Sequence, residues 1–141
     1  MPDLHFDTAK EAVEVLTAHG FRVIREEVDP LHFDCAYVDL KRGKVLVRIA
    51  RERGGHFIEL SSKVDPSEWF DAALVLRFLN IREVHPYRVE PSAVAELARH
   101  VVGAFDRIET VFSRKEWKHT VDELEELSKR RWQERLDSRL S

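Results

Sequence analysis

The sequence predicts an α+β fold: a four-stranded antiparallel meander packed against helices, with a C-terminal pair of long helices. Three observations predict it. Within Lys44–Leu60, KVLVRIARERGGHFIEL, Val45, Val47 and Ile49 alternate with Leu46, Arg48 and Ala50, the period of two that a pleated strand requires. The adjacent Gly54 and Gly55 supply the positive φ of a tight reversal, and beyond them Phe57 and Glu59 alternate with Ile58 and Leu60. Charged residues make up 35% of the chain, above the usual quarter, which points to long solvated helical faces around the sheet.

The elements follow in chain order. Thr8 and Glu11 fit a capping box, Phe6, Ala9, Val13 and Leu16 share one face, and Gly20 stands where a left-handed C-cap belongs; a first helix is expected over Asp7–His19. Phe21–Val28 reads as a strand, with Phe21 and Val23 on one side, Ile24 and Val28 on the other, and Asp29-Pro30 as its break. Phe33–Leu40 is a second strand, and Lys41-Arg42-Gly43 turns it into the central hairpin, whose own loop is Glu52-Arg53-Gly54-Gly55. Such short connections favour an antiparallel meander.

Asp65-Pro66-Ser67-Glu68 carries an Asp N-cap, a Pro at the first helical position and a Glu three residues past the cap, so a helix is expected to start there. The following WFDAALVLRFL is apolar on two stripes, as in a helix buried on a sheet, and Asn80 ends it. Ile81–Glu90 contains His85-Pro86 and reads as a crossing segment or a short edge strand. Pro91 opens a long periodic segment with Val94, Leu97, Val101, Phe105, Ile108 and Phe112 on one face and Gly103 as a bend. Ser113 and Glu116 fit a further capping box, and the last helix carries Trp117, Val121, Leu124, Leu127, Trp132 and Leu136 as its apolar stripe.

With 141 residues, 43% of them hydrophobic, the chain is expected to form one domain over 1–141 with a core of its own. A net charge of −3 argues against nucleic-acid binding through bulk charge and leaves only a local basic patch open. Cys35 is the only cysteine, which excludes a disulfide within the chain and fits a reducing compartment. No apolar run has the length of a membrane span, and the N-terminus lacks the pattern of a signal peptide; the expected location is the cytoplasm.

If Val45, Val47, Ile49, Ile58 and Leu60 face the helices, the other side of the sheet receives Leu46, Arg48, Phe57 and Glu59, joined by Tyr37 and Asp39. Rings beside an arginine and carboxylates are the mixture found at protein interfaces, so Tyr37, Asp39, Arg48, Phe57 and Glu59 are the expected partner-binding residues. The plainer account of the same residues is cross-strand pairing of Arg48 with Glu59 or Asp39. A metal-dependent nuclease is the alternative, with Asp34 or Asp39 and Glu59 as carboxylate ligands, but the Lys expected two residues after the Glu falls out of register at Lys63. The seven histidines are dispersed, Glu96 and His100 share only a helix face, and Cys35 reads as a small strand hydrophobe; no metal or cofactor is expected. The C-terminal KRRWQERLDSRL is basic and bears Trp132, suited to RNA, an anionic membrane or an acidic partner, or simply to the dipole of a helix end. Trp117 and Trp132 offer a further alternative, a dimer contact.

The segments VLVRIARERGGHFIEL and SSKVDPSEWFDAALVL resemble those of small stand-alone bacterial α+β proteins, mostly uncharacterised, some of which look like immunity proteins. There an Arg-bearing strand runs into an Arg-Gly turn, an aromatic-x-Glu-Leu strand and a Trp-Phe helix start; Arg48, Arg53, Gly54, Phe57, Glu59, Leu60, Trp69 and Phe70 are the matching positions. The resemblance covers about a third of the chain. It implies a non-enzymatic bacterial protein that neutralises a toxin by binding it.

Overall fold

Alternating burial along the central hairpin sets the frame of the molecule. The computed structural model describes residues 4–28, 35–52, 55–81 and 91–140. Its elements are α1 (Leu4–Ala18), β1 (Arg22–Val28), β2 (Ala36–Arg42), β3 (Val45–Glu52), β4 (Gly55–Ser62), β5 (Asp65–Asp71), α2 (Ala72–Phe78), α3 (Pro91–Gly103), α4 (Phe105–Val111) and α5 (Trp117–Leu140). The strands form one antiparallel sheet in the order β1-β2-β3-β4-β5. The α+β meander therefore stands, with five strands instead of four. Val38, Leu40, Val45, Val47, Ile49, Ile58 and Leu60 are buried on one face together with Leu16, Leu76, Val94, Val101, Ile108 and Phe112 of the helices. This is the face that the alternation assigned to the core.

The fifth strand is the segment expected to open a helix at Asp65. Two features override the Asp-Pro-Ser-Glu signal. A two-residue reversal at Lys63–Val64 brings Asp65 opposite Ser62, and the chain continues as an edge strand, where Pro66 removes no essential ladder bond. Ser67 Oγ also donates to Asp65 Oδ1 at 2.7 Å, so the cap-forming carboxylate is engaged locally. Phe70 then points to the core, and Trp69 and Asp71 to the opposite face. The helix begins one strand later: Asp71 Oδ1 accepts from the Ala73 amide at 2.9 Å as its N-cap. Ala72 to Leu76 are all buried, as expected of a helix between layers. Asn80 ends it with φ +57°, and the Ile81 amide donates a hydrogen bond back to the Leu76 carbonyl at 2.9 Å.

Other boundaries move for identifiable reasons. α1 starts at Leu4, ahead of Asp7, and closes as expected on Gly20 at φ +92°, with the Phe21 amide bonded to the Leu16 carbonyl at 3.1 Å. β1 carries a bulge at Ile24, so Val23 and Val28 lie opposite Leu40 and Ala36 on the same side of the sheet, not on opposite sides. Strand β2 runs on through Arg42, and the reversal is Gly43–Lys44, with Gly43 at φ +57°. Glu109 of α4 accepts from the Lys44 amide at 3.0 Å and holds that turn.

The pair of long C-terminal helices is also corrected. Only α5, with 24 residues, is long. The periodic segment before it is divided at Ala104, whose φ of −105° and ψ of 12° leave the helix. Gly103 thus marks a break, while Val94, Leu97, Val101, Phe105, Ile108 and Phe112 all remain buried across it. Ser113 does not cap α5; its Oγ donates back to the Thr110 carbonyl at 2.8 Å. The last carbonyls of α4 are satisfied by two buried hydroxyls, Ser62 Oγ to Phe112 O at 2.6 Å and Thr120 Oγ1 to Val111 O at 2.7 Å. Asp29-Pro30, Phe33, Asp34, the loop residues Arg53 and Gly54, and His85-Pro86 lie outside the described residues. No helix among the described residues is long and apolar enough to cross a membrane.

Candidate functional site

The face of the sheet opposite the core is built from rows of residues that the strand register places side by side. One row crosses the whole sheet: Arg25 on β1 is opposite Asp39, Asp39 opposite Arg48, Arg48 opposite Glu59, and Glu59 opposite Asp71. Arg131 of α5 extends the row, 3.2 Å from Asp71 Oδ2. The next row holds Glu27, Tyr37, Ala50 and Phe57. Side chains directly opposite one another in antiparallel strands sit about 5 Å apart at Cβ, so charge sign along such a row decides whether it attracts or repels.

Arg48 is the centre. Its Nε and Nη2 donate to Asp39 Oδ1 and Oδ2 at 2.8 and 3.0 Å, a bidentate fork. The Tyr37 and Trp69 rings flank the guanidinium, with centroids 4.3 and 4.2 Å from Cζ. Asp39 raises the guanidinium pKa further, so Arg48 stays charged. Tyr37 in turn donates its hydroxyl to Glu27, which also meets Arg25 at 2.6 Å. The shared bond lowers the Glu27 pKa and raises that of the Tyr37 phenol.

The acidic end of the row is different. Burial pushes the Glu59 carboxyl up, with Asp71 adding to it and Arg48 opposing, and no described residue gives that carboxylate a hydrogen bond. Asp71 is pushed up by burial as well, against the Ala73 amide and Arg131. Glu59 and Asp71 are like charges at facing positions, restrained only in part by Arg48 and Arg131.

This is where the expected site residues are found. Tyr37, Asp39, Arg48, Phe57 and Glu59 all lie on this one face, and all but Asp39 are partly exposed. Asp39, at 6% exposure, and Leu46, at 8%, are buried within it. Towards the β3–β4 turn a depression of about 410 Å³ opens between Glu27, Cys35, Tyr37, Ala50 and Glu52. No family model, curated protein or solved structure matches this chain.

The geometry also bears on the other candidates. Arg48 stands between Asp39 and Glu59, where a nuclease reading would require a metal ion, and Asp39 is already taken up by the guanidinium. Among the described residues no group of three or more His, Cys, Asp or Glu side chains is gathered to hold a metal. Glu96 and His100 form a helix-surface contact at 3.9 Å. Trp117 packs against Phe70 and Phe112, at centroid distances of 6.1 and 5.1 Å, and so is not on a surface where it would pair with a second copy. Arg25, Glu27, Trp69, Asp71 and Arg131 belong to the face but were not among the expected residues. Trp69 and Asp71 carry a period-two signal once WFD is read as strand, whereas Arg131 comes from an element too distant for any local pattern to reach.

Proposed function

We propose that this protein is a non-enzymatic binding protein of the bacterial cytoplasm, immunity-like in action, that docks a protein partner on the outer face of its sheet. Glu59 carries this reading. It is a largely desolvated carboxylate with no hydrogen bond from the described residues, set beside a ring-flanked arginine on a face left partly open. Its dehydration cost is met in the free protein, so a partner's ammonium or guanidinium group arriving there gains more than it would at a solvated acid. Tyr37, Phe57 and Trp69 supply the apolar body of an interface around it. Glu27, Asp39 and Asp71 are paired with Arg25, Arg48 and Arg131, which leaves Glu59 as the acid of this face that favours a basic group on the partner. The likeness of the hairpin to immunity-type proteins supports the same reading.

The test is calorimetric titration with the product of the neighbouring gene. Tight binding is expected, weakened roughly 30-fold or more by Phe57→Ala and by Glu59→Lys. Failure to bind, or equal affinity for the wild type and both variants, would reject this function.

A further inference from the structure

The second half of α5 carries a surface that the sheet-face reading does not use. Residues Ser128 to Leu140 include Lys129, Arg130, Arg131, Arg135 and Arg139 against only Glu134 and Asp137, in a chain whose net charge is −3. This helix end is locally basic. At about 100° per residue, Ser128, Arg131, Trp132, Arg135 and Arg139 fall within one arc of about 100°, and neither acid enters it. In the first half of the helix the same arc holds Trp117 and Leu124, both buried in the core. The core-facing side of α5 thus runs on past the core and, beyond the Arg131–Asp71 pair, emerges as Arg135 and Arg139 beside an exposed indole. Trp132 is 54% exposed, with the Arg135 guanidinium 5.7 Å from its ring centroid. Depressions of about 300 Å³ (Ser128, Arg131, Trp132, Arg135) and 440 Å³ (Glu134, Arg135, Ser138, Arg139) adjoin it. Glu134, the acid lining the second, is held by Arg77 at 3.0 Å.

We propose that this end of α5 binds single-stranded nucleic acid, with a base stacked on Trp132 and successive phosphates on Arg135 and Arg139; Arg131 stays with Asp71. Four helical residues advance about 6 Å, on the order of the separation between neighbouring phosphates of an extended strand. An indole among cations is the pairing that sequence-tolerant single-strand binders use. A run of Asp and Glu alone offers no ring to stack on the indole. A membrane-lying helix needs an apolar face apart from its charged one, and here the tryptophan lies among the arginines. The acidic charge of the whole chain rules out binding through bulk electrostatics but not through this localised end.

Fluorescence anisotropy with a short fluorescein-labelled oligouridylate tests it. Binding is expected at low salt, with log K falling against log salt at a slope of about −1.4 for two phosphates. Trp132→Ala is expected to weaken it roughly 5- to 150-fold, and Arg135→Glu with Arg139→Glu to abolish it, all with unchanged circular dichroism because these side chains are exposed. No binding, or binding that survives both variants, overturns the proposal. So does equal affinity for a labelled oligoglutamate, which assigns the surface to an acidic protein, or co-sedimentation with anionic phosphatidylglycerol vesicles in place of oligonucleotide binding, which assigns it to a membrane.

Discussion

The guanidinium of Arg48 lies 4.2 Å from the ring centroid of Trp69, although one residue sits on the central strand and the other on the edge strand β5. The contact exists because β5 is a strand: as part of a helix, Trp69 would not alternate with Phe70 between the two faces. It also shields the Arg48–Asp39 pair from water, which makes that pair more than an exposed surface bridge.

Arg48 and Asp39 should therefore couple. Asp39 is nearly buried, so Arg48→Ala leaves a carboxylate without its counter-charge and is expected to cost about 2–4 kcal/mol. Asp39→Ala strands the arginine between its two rings at a smaller cost, since Arg48 is more exposed. The double variant should be more stable than the sum of the single losses predicts. Urea denaturation of all four proteins measures the coupling, and additivity would show the pair to be energetically idle.

Asp71 has two separable tasks. It caps α2 through the Ala73 amide and holds Arg131 of α5. Asp71→Asn keeps a capping oxygen and loses the charge, whereas Asp71→Ala loses both. The alanine variant is expected to be about 1–2 kcal/mol less stable than wild type and the asparagine variant to lose well under half of that. Equal losses in denaturant melts would mean that the ion pair, not the cap, is what matters.

What the sequence discloses here follows the range of each signal. The period of two in Val45–Ile49 and Phe57–Leu60 depends only on neighbours along the strand, and every one of those side chains points as the alternation requires. Gly20 and Asn80 end their helices through backbone dihedrals that are local properties. Asp65 misleads because a local cap signal meets a competing ladder that runs from Ser62–Asp65 out to Leu60–Phe70 and Glu59–Asp71, ten and twelve residues apart. Val28 is assigned to the wrong side because a single bulged residue, Ile24, shifts the phase of β1. The site is legible by the same rule: Tyr37, Asp39, Arg48, Phe57 and Glu59 come from strands with clean alternation, while Trp69, Asp71 and Arg131 required the tertiary arrangement.

Glu59 gives a pH dependence of definite sign. Its folded pKa is raised by burial, so the folded state binds the proton more tightly than the unfolded chain. Stability from this group is fully present below the unfolded value of about 4.3 and is lost as pH rises through the folded pKa. Glu59→Gln removes that loss. The variant should be more stable than wild type at neutral pH, by roughly 1 kcal/mol or less, and the gain should vanish as pH falls below about 4. Thermal melts across that range check it; a variant less stable at pH 7 would mean that attraction to Arg48 outweighs burial.

Gly43 is the turn residue that should tolerate least. It holds φ +57° between β2 and β3, and a Cβ there would lie 2.1 Å from Glu109 Oε2, the atom that accepts from the Lys44 amide. Gly43→Ala meets two penalties, the left-handed backbone and displacement of the carboxylate that holds the turn. A loss of about 1–3 kcal/mol is expected. Glu109→Ala separates the two, since it removes the obstruction and the hydrogen bond but leaves the dihedral strain. In the Glu109→Ala background Gly43→Ala should cost only the backbone share, about 1 kcal/mol. If it costs as much there as in the wild type, the clash contributes nothing, and the dihedral alone explains the glycine.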